Sequence, residues 1–266
     1  MKIIVSCLIV FLLTGTTISQ NKREAILHSH NDYENRIPLF DALNYGFRSI
    51  EVDIHLDNNE LYVAHDSNEI DKSKTLDKLY LIPLWELFKK LNADTQEQEP
   101  LLILIDIKTE ANSTYSKLRE VLAKYKEMLT TFSDYSKKNG FVTVIVSGNR
   151  PIEHMKIESP RLTALDGRLE DLGKNYNQFL IPLVSESASE FASFDYKGAL
   201  SKTAYEELKK FVDSAHNQNR LTRLWGVPDS KVYWKLQFEI GFDLIGTNNL
   251  EELSNYYNQW KKDNNE

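Results

Sequence analysis

Short apolar runs alternate with amphipathic segments along the chain from residue 25 to the C-terminus. The run Leu101–Ile107 is apolar on both faces, which is typical of a buried parallel strand. The segments between the runs repeat apolar residues at helical spacing, and those at 38–45 and 83–91 begin with a proline, which is favoured in the first turn of a helix. About eight strands that alternate with helices over roughly 245 residues predict an α/β fold, a single-domain TIM-type (β/α)8 barrel.

The predicted elements follow from this alternation. Strands are predicted at 25–28, at two places within 49–66, and at 101–107, 142–146, 162–165, 179–184, 221–227 and 243–246. Helices are predicted at 38–45, 83–91, 116–129, 202–216, 231–240 and 250–261. An open doubly wound sheet is the alternative, although no strand is followed by a G-x-G-x-x-G or G-x-x-x-x-G-K-[ST] motif, which disfavours a nucleotide-binding sheet.

Candidate chemistry concentrates in the stretch Ser49–Asp66. Glu51 and Asp53 are two residues apart in a predicted strand, so their side chains point to the same face. A turn at 57–59 leads to a second short strand that ends at His65. Two carboxylates on one face suit a hard cation such as Mg²⁺ or Ca²⁺, and a nearby histidine suits proton transfer near neutral pH. The alternative is that both carboxylates lie on the solvated face of an edge strand.

Further polar residues fall where predicted strands end. In a parallel barrel the active site is built at the carboxyl ends of the strands, so these residues are candidates for a shared site. They are His28, His65, Asp106, Lys108, Ser147, Asn149, Asp166, Arg168, Trp225 and Asn248. Their positions favour a functional role for Glu51 and Asp53 over a structural one.

Residues 1–20 differ from the rest of the chain. A short positive start precedes the apolar run Ile3–Leu13 and a small polar segment, which is the pattern of a cleaved secretory signal peptide. We therefore predict a secreted or periplasmic protein whose barrel domain spans 21–266, with no stable membrane span after cleavage; an uncleaved membrane anchor is the alternative. Cleavage would remove Cys7, the only cysteine, and would exclude disulfides and a thiolate nucleophile.

The order and spacing of several motifs resemble a known family. His28, Glu34-Asn35, Gly46, Glu51-x-Asp53 and His65-Asp66 together resemble the opening pattern of the glycerophosphodiester phosphodiesterase family. Asp106-x-Lys108, Trp225 and the segment 241–248 resemble later strand ends of the same family. The string HSHNDY at 28–33 resembles the "altered inheritance of mitochondria" branch of this phospholipase-C-like superfamily.

This resemblance implies a metal-dependent phosphoric diester hydrolase of the glycerophosphodiester or phospholipid head-group type, with a role in lipid metabolism. The implied metal ligands for one divalent cation, Mg²⁺ or Ca²⁺, are Glu51, Asp53 and Asp106. The implied catalytic residues are an acid–base pair, His28 and His65, and a phosphate-contacting cation, Lys108. The partner would be a small phosphodiester or phospholipid-derived substrate, and the net charge of −7 argues against nucleic acid.

Substrate binding is predicted for Trp225, Asn31 and Arg168. In the resembled family an arginine follows the first histidine, whereas Ser29 stands at that position here. Arg150 and Arg168 end predicted strands and are the candidate replacements, with surface salt bridges as the alternative. For Trp225, packing against the barrel is the alternative to a substrate contact.

Two other functions stay open. His28 and His30 form an H-x-H motif after the first strand, which suits a zinc-dependent amidohydrolase or phosphomonoesterase. Such sites need further histidines at strand ends, and the remaining candidates, His154 and His216, fall in helical context. The third possibility is a barrel that binds a phosphorylated head group without turnover.

Overall fold

Eight parallel strands form a closed barrel in the computed structural model, which describes residues 23–91, 99–192 and 200–264. The barrel strands are β1 Ile26–Ser29, β2 Ser49–Asp57, β4 Leu101–Ile107, β7 Val142–Gly148, β8 Thr163–Gly167, β9 Leu183–Ser187, β10 Leu221–Trp225 and β11 Leu244–Thr247. Strand β3, Glu60–Val63, pairs antiparallel with the end of β2. A separate hairpin is formed by β5 Thr131–Phe132 and β6 Lys137–Lys138.

The barrel closes because β1 pairs with both β2 and β11. His28 of β1 lies beside Ser49 of β2 on one side and beside Gly246 of β11 on the other. The predicted TIM-type barrel is therefore confirmed. The open doubly wound sheet is wrong, since the first and last parallel strands are hydrogen-bonded neighbours.

Helices surround the barrel, and several of them start where a side chain caps the first turn. They are α1 Phe40–Asn44, α2 Ile82–Lys90, α3 Ala111–Ala123, α4 Ile152–Ile157, α5 Lys202–His216, α6 Lys231–Ile240 and α7 Leu250–Asn264. Ser201 accepts the N–H of Ala204 at the start of α5, and Ser230 accepts the N–H of Tyr233 at the start of α6. Both helices have their predicted bounds, because the capping serine fixes where each begins.

The predicted helix at 116–129 is wrong at both ends. Helix α3 begins five residues earlier, because the Glu110 carboxylate accepts the N–H groups of Asn112 and Ser113 at 3.0 and 2.8 Å and caps the first turn. It ends six residues earlier, ahead of the 3₁₀ turn Lys126–Met128. The apolar periodicity of α3 starts only in its second turn, so it predicted too late a start for a helix that the Glu110 carboxylate caps.

The predicted strand at 179–184 is displaced along the chain. The strand is β9, and the apolar residues just before it form a turn in which Leu180 and Ile181 donate their N–H groups to the Asn177 carbonyl. The sequence did not indicate α4 or the β5–β6 hairpin, because elements of six and two residues are too short to show a period.

Apolar side chains pack in two regions. The larger lies between the barrel and the helices. The smaller consists of Leu102, Leu104, Ile145, Leu183 and Leu244, which meet inside the barrel. On β4, the inward position that follows Leu102 and Leu104 is Asp106, nearer the carboxyl end. The interior of the barrel is thus apolar toward the amino ends of the strands and polar at their carboxyl ends.

The predicted signal peptide at 1–20 and Cys7 lie outside the described residues. The described part of the predicted 21–266 domain forms the one barrel. Within the described ranges, no helix is long and apolar enough to cross a membrane.

Candidate active site

Three carboxylates meet at the carboxyl end of the barrel. Glu51 and Asp53 alternate with apolar residues of β2, and the β2–β4 register places Asp53 beside Asp106. One carboxylate oxygen from each of the three lies within 4.8 Å of the others. Glu51 and Asp53 are buried, and Asp106 is partly buried. The structure therefore brings together the three predicted metal ligands.

Asp53 is the best-connected member of this cluster. Its Oδ2 accepts a hydrogen bond from Tyr33 Oη at 2.8 Å and lies 2.9 Å from His65 Nδ1 and 3.1 Å from Lys108 Nζ. Its Oδ1 is buried and has no hydrogen-bond partner within the described ranges. A buried carboxylate oxygen without a partner is costly. This oxygen, beside two further carboxylates, fits a cation site made of oxygen ligands.

Lys108 contacts the cluster as a charged amine. Its Nζ lies 3.1 Å from Asp53 Oδ2 and 3.2 Å from Asp106 Oδ2. Burial lowers the pKa of Lys108, but the two carboxylates raise it more, so the net direction is upward. Burial also raises the pKa of Asp106; Lys108 opposes this shift, while Asp53 and Glu51 add to it.

Gly148 on the neighbouring strand β7 leaves room for the Asp106 carboxylate. Its φ of +67° lies in the left-handed region that favours glycine. A Cβ built at this position would lie 1.9 Å from Asp106 Oδ1. Any side chain at 148 would therefore displace the carboxylate.

His65 lies at the rim of the site and is bound through Nδ1. Its side chain is 53% exposed. The hydrogen bond from Nδ1 to Asp53 raises the pKa of His65, against the opposing effects of partial burial and of Lys108. His55 of β2 binds the main-chain oxygen of His65 at 3.2 Å and holds this end of β3 in place. Because Nδ1 is engaged, Nε2 is the ring atom left to exchange a proton.

His28 is fully buried at the end of β1 and is bound on both ring nitrogens. Nδ1 lies 2.7 Å from Ser49 Oγ, and Nε2 lies 3.2 Å from Glu51 Oε2. Burial lowers the pKa of His28 to about 4, aided by the Arg223 guanidinium and opposed by Glu51. His28 is therefore neutral at pH 7. The two predicted catalytic histidines contact the same carboxylate cluster, His28 through Glu51 and His65 through Asp53.

Arg223 is a residue of the site that the sequence analysis did not identify. It is buried on β10, and its Nη2 forms an ion pair with Glu51 Oε2. Burial raises the pKa of Glu51, but Arg223 and the hydrogen bond from His28 lower it more, so Glu51 stays ionised. The alternation of the predicted strand 221–227 places Arg223 on the same face as Trp225, and this was the signal that could have identified it.

Comparison with known proteins identifies the family of this chain. A family model described as an AIM6-like phosphodiesterase domain matches residues 16–163, which is more than half of the chain. The chain belongs to this family. The matched range contains the three carboxylates, both histidines and Lys108, and it confirms the resemblance to the phospholipase-C-like phosphodiesterase superfamily.

Relatives match the AIM6-like chain over most of its length. "Altered inheritance of mitochondria protein 6" from Kluyveromyces lactis is 28% identical, over 86% of this chain and 71% of that protein. A homolog from Arthroderma benhamiae is 27% identical, over 87% of this chain and 83% of that protein. A glycerophosphodiester phosphodiesterase from Parabacteroides distasonis is 15% identical, with a TM-score of 0.56, over 90% of this chain and 99% of that chain. The last similarity shows a shared fold.

The HSHNDY loop of this AIM6-like domain is organised by Asp32, which is fully buried. The Asp32 carboxylate accepts hydrogen bonds from Ser29 Oγ at 2.7 Å, from the Leu39 N–H at 2.6 Å and from Tyr80 Oη at 3.0 Å. Ser29, which replaces the arginine of the resembled family, is thus part of the internal bonding of the loop.

Two other residues of the same loop, Tyr33 and Asn31, bind different partners. Tyr33 donates to Asp53 and is a second residue that the sequence analysis missed, because the 3₁₀ turn Asp32–Glu34 that carries it is too short to give a periodic signal. Asn31, a predicted substrate-binding residue, has a left-handed φ of 45° and is nearly buried. Its Nδ2 donates to Glu34 Oε1 at 3.3 Å. Its contact with substrate stays a prediction.

His28 and His30 do not act together as metal ligands in this arrangement. His30 is bound through Nδ1 to Asn248 Oδ1 at 2.8 Å in an exposed contact, whereas His28 is buried against Ser49 and Glu51. In the part of the chain that the structure describes, no group of three or more metal-binding side chains includes either histidine. This geometry disfavours the zinc-dependent H-x-H alternative.

Arg168 and Trp225 also lie at the carboxyl ends of barrel strands. Arg168 Nη1 contacts Asp166 Oδ2 at 2.8 Å, and its Nη2 contacts Ser147 Oγ at 3.3 Å. Burial lowers the pKa of Arg168, but Asp166 raises it more. Trp225 is 42% exposed at the end of β10. Arg168 is thus held by a buried carboxylate, Trp225 is open to a ligand, and substrate binding by either residue stays a prediction.

Proposed function

We propose that this AIM6-like domain hydrolyses phosphodiesters with one bound divalent cation, Mg²⁺ or Ca²⁺. The cation would be held by Glu51, Asp53 and Asp106. The observation that carries this proposal is the carboxylate cluster itself, with the buried and partner-free Oδ1 of Asp53 in it. An all-oxygen ligand set of this kind suits hard cations and not zinc.

The balance of charge supports the same proposal. The three carboxylates are negatively charged, and the two side chains that contact them, Lys108 and Arg223, are positively charged. The formal net charge of this group is therefore one negative charge. A divalent cation would reverse this balance to a single positive charge. That charge complements the single negative charge of a phosphodiester, so the loaded site would attract its substrate.

Each catalytic side chain has a defined part in the proposed reaction. When bound, the cation would stabilise the negative charge that develops on the phosphate oxygens. Lys108, which stays protonated, would add a second positive charge beside it. His65, oriented by Asp53, would exchange one proton through Nε2. His28 would exchange the other through its Nε2, which would leave Glu51 Oε2 to do so while Arg223 keeps its contact with that oxygen. One histidine takes the proton of the attacking hydroxyl, and the other gives a proton to the leaving alkoxide.

The nucleophile would come from the substrate or from water. Ser29 is fully buried and donates its hydroxyl to Asp32, so it is not placed to attack. A neighbouring hydroxyl of the substrate would form a new P–O bond as the alkoxide leaves and would give a cyclic phosphate. Attack by water would give the open monoester. The family resemblance favours the cyclic route.

Three substrates separate this proposal from its rivals. The metal-replete protein is given an aryl phosphodiester of glycerol, which carries a hydroxyl next to the ester, the matching aryl phosphomonoester and an aryl amide. Phosphorus NMR follows the phosphate products, and absorbance follows the aryl amine that the amide would release. We expect turnover of the phosphodiester alone, lost on addition of EDTA, with no phosphoryl group on the protein. Turnover of the monoester or the amide instead would favour the H-x-H rival. Binding of the phosphodiester without turnover would favour a head-group-binding barrel.

We expect Gly148→Ala to weaken binding of Mn²⁺, a probe for oxygen ligands, by at least about 10-fold. The new Cβ would lie 1.9 Å from Asp106 Oδ1 and 2.6 Å from the Ile107 main-chain oxygen, so it would displace Asp106 through both its side chain and its strand. Titration of the metal-stripped protein measures this affinity. Gly46→Ala is the matched control, since Gly46 also has a left-handed φ but an added Cβ there meets nothing within 4 Å. Equal affinities for Gly148→Ala and the parent would contradict the role of Asp106.

We propose a small phosphodiester or a phospholipid-derived one as the substrate. A secreted or periplasmic location is proposed from the sequence pattern at 1–20, and detection of the processed chain outside the cytoplasm of a cell that expresses it would test this.

A further inference from the structure

Arg223 is the one cation of the site that is buried among the strands. It lies on β10, where the register pairs it with Ser185 of β9 and Leu244 of β11. In the order of the barrel, β1 and β11 separate β10 from β2, which carries Glu51. The guanidinium therefore reaches past two strands to form its ion pair with Glu51.

Glu51 is held at one of its two carboxylate oxygens. Oε2 receives both the Arg223 guanidinium and Nε2 of His28. His28 is itself fixed by Ser49 at its other nitrogen. A carboxylate keeps a single orientation when two buried donors bind one of its oxygens. The other oxygen of Glu51, Oε1, therefore points in a fixed direction.

We propose that Arg223 is the positioning residue for Glu51 and holds its Oε1 ready to bind the divalent cation. This inference rests on the proposed metal centre. Lys108 has the corresponding position for the other two carboxylates, because its Nζ contacts Oδ2 of Asp53 and Oδ2 of Asp106. Arg223 contacts Oε2 of Glu51 in the same way.

The charge of Arg223 opposes its positioning effect. A nearby positive charge repels a divalent cation, so repulsion alone predicts that removal of Arg223 tightens metal binding. Loss of orientation predicts the reverse, because Glu51 would then turn toward other partners and leave the cluster. The sign of the change in metal affinity therefore tests the proposal.

The experiment titrates metal-stripped protein with Mn²⁺ and follows the free ion by its EPR signal. We expect Arg223→Met to weaken binding at least about 10-fold, as is usual for residues that orient metal ligands. Arg223→Lys keeps the charge and one donor, so its affinity should fall between those of Arg223→Met and the parent. Arg220→Met is the matched control, because Arg220 is an equally buried arginine that binds the Tyr176 carbonyl, away from the cluster.

Each result decides the inference. Affinity for Mn²⁺ that is unchanged or tighter in Arg223→Met would overturn it, as would an equal loss in Arg220→Met. If Arg223→Met fails to fold, Arg223→Lys decides, since parental affinity there would show that the guanidinium geometry is not needed. A parent protein that binds no Mn²⁺ would refute the proposed function itself, whereas Mn²⁺ binding that needs Glu51 but not Arg223 would refute only this inference.

Discussion

Glu51→Gln should abolish phosphodiester hydrolysis, with a loss of at least about 1000-fold in kcat/KM. The substitution keeps the shape of the side chain and removes one of the three charged ligands, and a bound metal ion contributes several kcal/mol of charge stabilisation in the transition state. Steady-state kinetics on an aryl phosphodiester and Mn²⁺ titration of the same sample measure the effect.

This variant will also be less stable, because Arg223 loses its buried counter-ion. The assays therefore need a temperature below its unfolding midpoint, and Asp106→Asn, whose partner Lys108 is partly exposed, provides a second test with less effect on folding. Glu186→Gln is the control, since its carboxylate binds the main chain of Leu169 and Ser187. Parental activity in Glu51→Gln or Asp106→Asn would contradict the metal site.

His65→Ala and His28→Ala should each lower kcat by at least about 100-fold, the low end for general acid–base catalysis. The side chain of His65 is exposed, so His65→Ala should lower the rate with little loss of stability. His28 is fully buried, so His28→Ala also leaves a cavity that destabilises the fold. Rates are measured with saturating metal, and circular dichroism confirms that each variant is folded.

His30→Ala distinguishes the two enzyme hypotheses. His30 lies two residues from His28, and its side chain binds Asn248 in an exposed contact. Because substitutions at such contacts have small effects, His30→Ala should change kcat by less than about threefold. The zinc-dependent alternative requires instead that His30→Ala be as damaging as His28→Ala. Near-parental activity in His65→Ala would contradict the two-histidine mechanism.

Periodicity predicted that Glu51 and Asp53 share one face, and the family resemblance supplied Asp106 as the third metal ligand. The alternation in β2 placed Glu51 and Asp53 on one face, and the buried run of β4 ended on Asp106. Parallel pairing of these two strands then aligns Asp53 with Asp106, because the register is set by the shared apolar positions. The fold was predictable for the same reason, since each barrel strand and most helices carry a clear period.

Contacts across the barrel were beyond prediction from the sequence. Arg223 was on a predicted strand, but its partner Glu51 is 172 residues away, and the identity of that partner depends on how the barrel closes. Tyr33 and Asp32 lie in the single 3₁₀ turn Asp32–Glu34, which is too short to show a period and whose side-chain hydrogen bonds depend on the fold. The boundary of α3 was missed because it depends on one capping side chain, Glu110.

The most direct test of the metal-dependent site is an anomalous difference map from a crystal of the protein soaked in Mn²⁺, at the concentration that gives half-maximal phosphodiester hydrolysis. We expect one strong peak, at about 2.0–2.6 Å from carboxylate oxygens of Glu51, Asp53 and Asp106, the distance range of oxygen-ligated divalent cations. A peak bound instead by His28 and His30, or an active soaked crystal with no peak at the carboxylates, would contradict it.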